Sequence, residues 1–184
     1  MGKTLYLECY SGISGDMTVA ALLDLGADRD VLEKALYSLP IGGFHIEISR
    51  VKKSGLDACD FNVILNHDNH DHDMEYLHGK DHEYSHIHEH SHPHEHRGMR
   101  EITEIIQGSA MTDKAKKMAL HVFDVLAHAE SKAHGVPVEE VHFHEVGAID
   151  SIVDIAAIAV CMDNLGVEDV VVSALSEGHG HVRC

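Results

Sequence analysis

The sequence predicts an α/β sandwich, a mixed sheet with helices packed on it, carrying a long histidine-rich insertion. Three observations lead there. Alternating stretches such as "KTLYLECY" and "FHIEISRVKK" read as strands, and they are separated by segments of helical period. Helices of this number among isolated, parallel-looking strands suit a layered α/β fold. Between residues 67 and 97, eleven histidines stand among acids with almost nothing apolar, so no core can form there.

Taken in order, "KTLYLECY" is a strand, "SGISGD" a tight turn, and "MTVAALLDLGA" a helix whose Met17, Ala20, Ala21 and Leu25 recur at helical spacing. Asp28 is placed to cap a second helix, "RDVLEKALYSL", which Pro40 and the glycines at 42 and 43 terminate. "FHIEISRVKK" and "LDACDFNVIL" form a hairpin about Ser54 and Gly55. After Gly98 come "MREITEIIQGS" and a longer helix capped by Thr112 and closed by Gly135, with Pro137 just beyond. "VEEVHFHEVG" is a strand or extended loop, residues 148–165 a buried helix, and "EDVVVSALS" a last strand. We divide the chain into residues 1–66, the insertion 67–97, which we expect to be disordered, and residues 98–184 completing the same domain. The closing "GHGHVRC" lacks a natural terminator, so a longer protein is expected.

Composition narrows the function. Asp and Glu number 31 against 14 Lys and Arg, a net charge of −17, which argues against a nucleic-acid partner and favours cations. No apolar run is long enough to span a membrane, and "MGKTLYLECY" does not resemble a leader. Four cysteines without a C-x-x-C pair suggest reduced thiols and a cytoplasmic setting.

The histidine-rich segment, with His86, His88, His90, His92, His94 and His96 at its end, mixes imidazole and carboxylate donors that suit nickel, copper, zinc or cobalt. A flexible arm of this kind would collect metal rather than hold it in one geometry. "HFHE" offers a firmer arrangement. In an extended segment His142 and His144 fall on one side and Phe143 on the other, and Glu145 can add a third ligand or act as a base. Two solvated histidines on an edge strand would read the same way. Asp150 and Asp154 lie four apart in an apolar helix and share one side of it. Capping at the helix N-terminus accounts for part of Asp150, whereas Asp154 needs another partner. The turn of Ser11, Gly12, Ser14 and Gly15, with Asp16, stands where backbone amides can hold an anion, although it lacks a Walker ending and also reads as plain turn chemistry.

In this order, "YLECYSGISGDMTVAALLDLGAD", the histidine-rich interruption, "HGVPVEEVHFHEVGAIDSIVDI" and "GHGHVRC" resemble the N-terminal region of the LarC family of nickel insertion proteins. The resemblance implies delivery of Ni2+ to a pyridinium mononucleotide bearing two thiocarboxylates, with nickel–sulfur and nickel–carbon bonds formed in a CTP-dependent process. It implies lactate racemase-type enzymes as acceptors of the product, and a further C-terminal domain absent from this chain. Within that reading, the residues read above, His142, His144, Glu145 and Asp150, supplied by the histidine arm, hold the ion or polarise the reacting ring. Ser11, Gly12, Ser14 and Gly15 would seat the substrate's phosphate. Glu145 or His144 is the expected base for the ring proton, and Asp16 orients a metal or a proton. Two further readings stay open: a nickel storage or chaperone module in which the arm is the whole function, and a zinc-dependent hydrolase using HFHE. A homo-oligomer sharing metal through histidines is compatible with either.

Overall fold

A computed structural model describes residues 2–66, 97–143 and 146–176. The α/β class predicted from the sequence is what forms. Parallel and antiparallel pairings both occur, distributed among the described residues over three two-stranded ladders.

The chain opens with β1 (Lys3–Leu7), the turn, α1 (Gly15–Asp24) and α2 (Arg29–Leu36). Asp28 caps α2 as expected, its Oδ1 accepting from the amides of Asp30 at 2.9 Å and Val31 at 3.2 Å. The helix stops at Leu36, short of Pro40, and two tighter turns at Ser38 and Leu39 carry the chain on. The hairpin is β2 (Phe44–Lys53) and β3 (Leu56–Leu65), paired from Phe44↔Leu65 to Lys53↔Leu56. Ser54 and Gly55 both take positive φ, 50° and 86°, the two-residue turn whose twist matches the strands it joins.

Beyond the insertion, β4 (Arg97–Gly98) leads into α3 (Met99–Gly108) and α4 (Asp113–His134). Thr112 caps α4 through Ala115 at 3.1 Å, and Gly135 ends it at φ 69°. "VEEVHF" resolves into a 3-10 turn, Val138–Glu140, and a short strand, β5 (His142–Phe143), antiparallel to β4. Then come α5 (Ile149–Leu165) and β6 (Val167–Val172), which pairs parallel with β1. The two are joined by Gly166 at φ 71°.

The core gathers around α5, which packs against α1, α2, α4 and β3. Its Ile152, Val153, Ala156, Ala157 and Val160 are all buried, as its near-continuous apolar sequence requires. Three expectations change. On α1 the buried residues are Thr18, Val19, Ala20 and Leu22, whereas Met17, Ala21 and Leu25 face outward. With Met17, Ala21 and Leu25 as apolar as Val19, Ala20 and Leu22, no single stripe marks the inner face. Arg97, assigned above to the insertion, is a strand residue paired with Phe143; the other residues expected to be disordered lie outside the described ones. The last strand stops at Val172. No described helix is long and apolar enough to cross a membrane. Cys9 and Cys161 are buried and Cys59 half-buried, and burial pushes the Cys161 thiol up to about 12.

Candidate functional site

Parallel strands with helices at their carboxyl ends place ligands just beyond those ends. Here β1 runs into the SGISGD turn at that position, and β6 ends beside it. The two chain segments are tied together by hydrogen bonds: Ser173 N–H donates to Leu7 O at 2.9 Å, Cys9 N–H to Ser173 Oγ at 2.8 Å, and Ser176 Oγ to Tyr10 O at 2.6 Å.

Within the turn, Gly12 at φ 89° closes a bond to Cys9 O at 3.1 Å. Ser14 opens α1 but makes no cap with its side chain; its hydroxyl donates to Asp16 Oδ1 at 2.5 Å. Ser11 and Asp16 are exposed.

Asp154 is the feature that the tertiary structure adds. It projects from α5 onto the first turn of α1, so close that a Cβ built on Gly15 would lie 2.2 Å from Asp154 Oδ2. Its Oδ1 is buried and receives no hydrogen bond among the described residues. Burial first, and the charges of Asp16 and Asp150 next, push this carboxyl up to about 7, against the Asp16 amide, which pulls it down. The α5 dipole and the 2.8 Å bond that Asp150 Oδ1 accepts from the Ser151 amide account for Asp150, as its place in the first turn suggested. Gly15→Ala is therefore expected to displace Asp154 and to destabilise the fold by about 1–3 kcal/mol, read from a thermal melt.

The histidine motif is built from the opposite strand. Phe143 is buried and meets Phe123 of α4 edge to face, with ring centroids 6.1 Å apart, while His142 is exposed, so the two alternate as the extended reading required. The β4–β5 register sets Arg97 opposite Phe143 and Gly98 opposite His142. Arg97 Nη1 also donates to Gly147 O at 2.9 Å, clasping the loop that leads from the motif into α5. Gly147 is required there, because a Cβ would come within 2.8 Å of Phe143 O.

Glu101, read from the sequence only as a helix residue, is a further member. It accepts from Gly98 N–H at 3.0 Å; its own amide first, then Gly98, with the charges of Arg100 and His142, hold its carboxyl below the usual range. The capping-box spacing, Gly98 to Glu101, was the available signal.

His144, Glu145 and residues 67–96, with His86, His88, His90, His92, His94 and His96, lie outside the described residues, as does "GHGHVRC". Among the described residues, no three His, Cys, Asp or Glu side chains converge as a preformed metal site. What the fold does bring together is Asp16, Asp150 and Asp154 at the facing ends of α1 and α5. Separately, it sets the strand carrying His142 against the first described residues after the histidine-rich segment.

These features define an α/β protein with a carboxylate-rich site at the carboxyl end of a parallel strand pair. The family described as nickel insertion protein matches residues 5–184. The chain is 54% identical over its whole length to the "Pyridinium-3,5-bisthiocarboxylic acid mononucleotide nickel insertion protein" of Alkaliphilus metalliredigens, covering 42% of that protein. It is 46% identical over 191 aligned residues to the protein of the same name in Clostridium acetobutylicum, covering 99% of this chain and 46% of the relative. A "Putative nickel insertion protein" of Geobacter sp. (strain M21) is 41% identical, with 98% of this chain and 41% of the relative covered. No solved structure matches. The chain belongs to the nickel insertion protein family. It spans less than half the length of the curated relatives it matches and corresponds to their N-terminal part.

Proposed function

We propose that this chain takes up Ni2+ and presents it for insertion into a pyridinium-3,5-bisthiocarboxylic acid mononucleotide, the substrate printed in the relatives' names. The observation that carries this reading is the Arg97↔Phe143 pairing. His96 and His144 are covalent neighbours of two cross-strand partners. The pairing thus sets the strand carrying His142 beside the first described residues that follow the histidine-rich segment. Metal collected by the arm, including His86, His88, His90, His92, His94 and His96, reaches the HFHE ligands by exchange over a short distance.

His142, His144, Glu145 and Asp150 are the proposed nickel-holding set, imidazole and carboxylate donors that suit Ni2+ and release it to softer sulfur. The substrate's two thiocarboxylate sulfurs displace them. As the nickel–carbon bond forms, the ring carbon loses its proton, which His144 or Glu145 accepts. Ser11, Gly12, Ser14 and Gly15 are the proposed seat of the substrate phosphate, where the α1 dipole favours an anion and bound nickel offsets the neighbouring acids. Asp16, joined to Ser14, orients that end.

CTP, with a divalent metal, is implied by the resemblance for the full-length family member and belongs to the same proposal; we derive no step through it. The lyase class and a lactate racemase-type acceptor belong to the same proposal, supported by the family resemblance; so do a cytoplasmic setting, supported by the lack of a C-x-x-C pair, and a homo-oligomer in which histidines of two chains share a metal.

Calorimetric titration with nickel tests the reading on the intact chain, on a deletion of residues 67–96 and on His142→Ala/His144→Ala. We expect a weak, multi-site population to leave with the deletion. A tighter site should survive it and weaken at least roughly tenfold in the double variant. Loss of all binding with the deletion would reduce the protein to a metal-collecting module.

A further inference from the structure

We propose that the outer faces of α1 and of the β1–β6 ladder form an interface covered, in the full-length protein, by the region that follows the matched part in the longer relatives. Two independent elements show the same anomaly. In β6, Val170, Val171 and Val172 are all exposed, Val171 by 50%. Successive strand residues point to opposite faces, so apolar side chains stand bare on both. A parallel sheet is ordinarily covered on both faces, and a run of valines is the sequence of an interior strand, yet this ladder has two strands among the described residues.

On α1, Met17, Ala21 and Leu25 lie four apart on the side away from the core, and Met17 is 60% exposed. With Val19 and Leu22 buried on the inner side, α1 carries apolar residues on both its inner and its outer side, Asp16 and Asp24 lying near its two ends. The two surfaces are continuous. The register pairs Tyr6 with Val171, and Tyr6 lines a groove of about 230 Å³ together with Ile13, Met17 and Leu25.

The occupant follows from what must be covered. A second copy added edge to edge would pair the free backbone of one strand but leave valines bare on both faces. Covering both faces needs helices as well as a strand, the form in which a parallel sheet continues. The longer relatives supply that length: more than half of each lies outside the match.

The test compares hydrogen exchange in this chain with that in the full-length Alkaliphilus relative, at positions matching Val167–Val172 and Tyr6. Exchange is expected to be at least roughly tenfold slower in the longer protein. Equal rates overturn the proposal. So does a dimer of the 184-residue chain by light scattering whose β6 amides gain protection as its concentration rises, because a second copy then covers the face. In this chain Val171→Asp and Met17→Lys are each expected to change the melting temperature by less than about 3 °C, since neither side chain is enclosed. A larger fall in either variant overturns the proposal by showing the face already covered by the chain's own residues. None of these measurements involves nickel, so their failure and the failure of the nickel reading are separable.

Discussion

Phe143→Ala is expected to lower stability by about 3–5 kcal/mol, the cost of emptying a fully buried aromatic site, and so to lower the melting temperature by about 10 °C. Phe143 is 1% exposed and packs on Phe123, which is itself fully buried. No other residue of HFHE is a described core residue, so Phe143 is the anchor by which α4 holds the motif. The same truncation is expected to weaken the proposed structured nickel site at least roughly tenfold, because imidazoles on an unanchored strand lose their common geometry. Phe143→Leu, which restores most of the volume, should recover the larger part of both losses. Calorimetry with nickel, beside a thermal melt, reads both effects. Unchanged melting in the alanine variant would mean that the motif is not held through its phenylalanine.

Asp154→Asn is expected to stabilise the protein at pH 8 by about 2 kcal/mol after allowance for partial solvent access, or about 4–8 °C in melting temperature. An aspartate in the unfolded chain ionises near its ordinary 3.8, whereas Asp154 in the fold does so near 7. The folded state therefore holds the additional proton. That contribution is complete below about pH 4 and is lost as the pH rises through 7, where the carboxylate must exist with Oδ1 buried and unbonded. The asparagine variant removes the penalty at high pH, and its advantage should shrink to nothing near pH 4. A melting series from pH 4 to 8 checks the sign. An advantage that did not vary with pH would show that ionisation of this group is not what costs stability. A carboxylate kept where an amide is more stable suggests retention for function, and the variant's nickel handling can be measured in the same material.

Much of the frame was legible in the sequence because its signals are local. The Thr112 and Asp28 caps, the Ser54–Gly55 turn and the closing glycine of α4 each depend on residues within a few positions of the structure they create. The limits of α5 followed from an apolar run too long and too evenly distributed for a half-exposed helix. The alternation of His142 and Phe143 needed only the period of an extended chain.

The inner face of α1 was not legible, since Met17 and Leu25 are as apolar as Val19 and Leu22; contact with α5 and β3 chose between them. Glu101 was hidden for a different reason, its proximity to His142 depending on a pairing between residues more than forty positions apart. By itself the sequence determined the donor types, the acidic balance, the local turns and caps, and the elements that must be buried. Tertiary structure alone decided that Asp154 would lie on Gly15 and that Arg97 would lie opposite Phe143, because local periodicity orients a side chain within its own element, whereas which elements meet is settled by competition for burial across the whole chain.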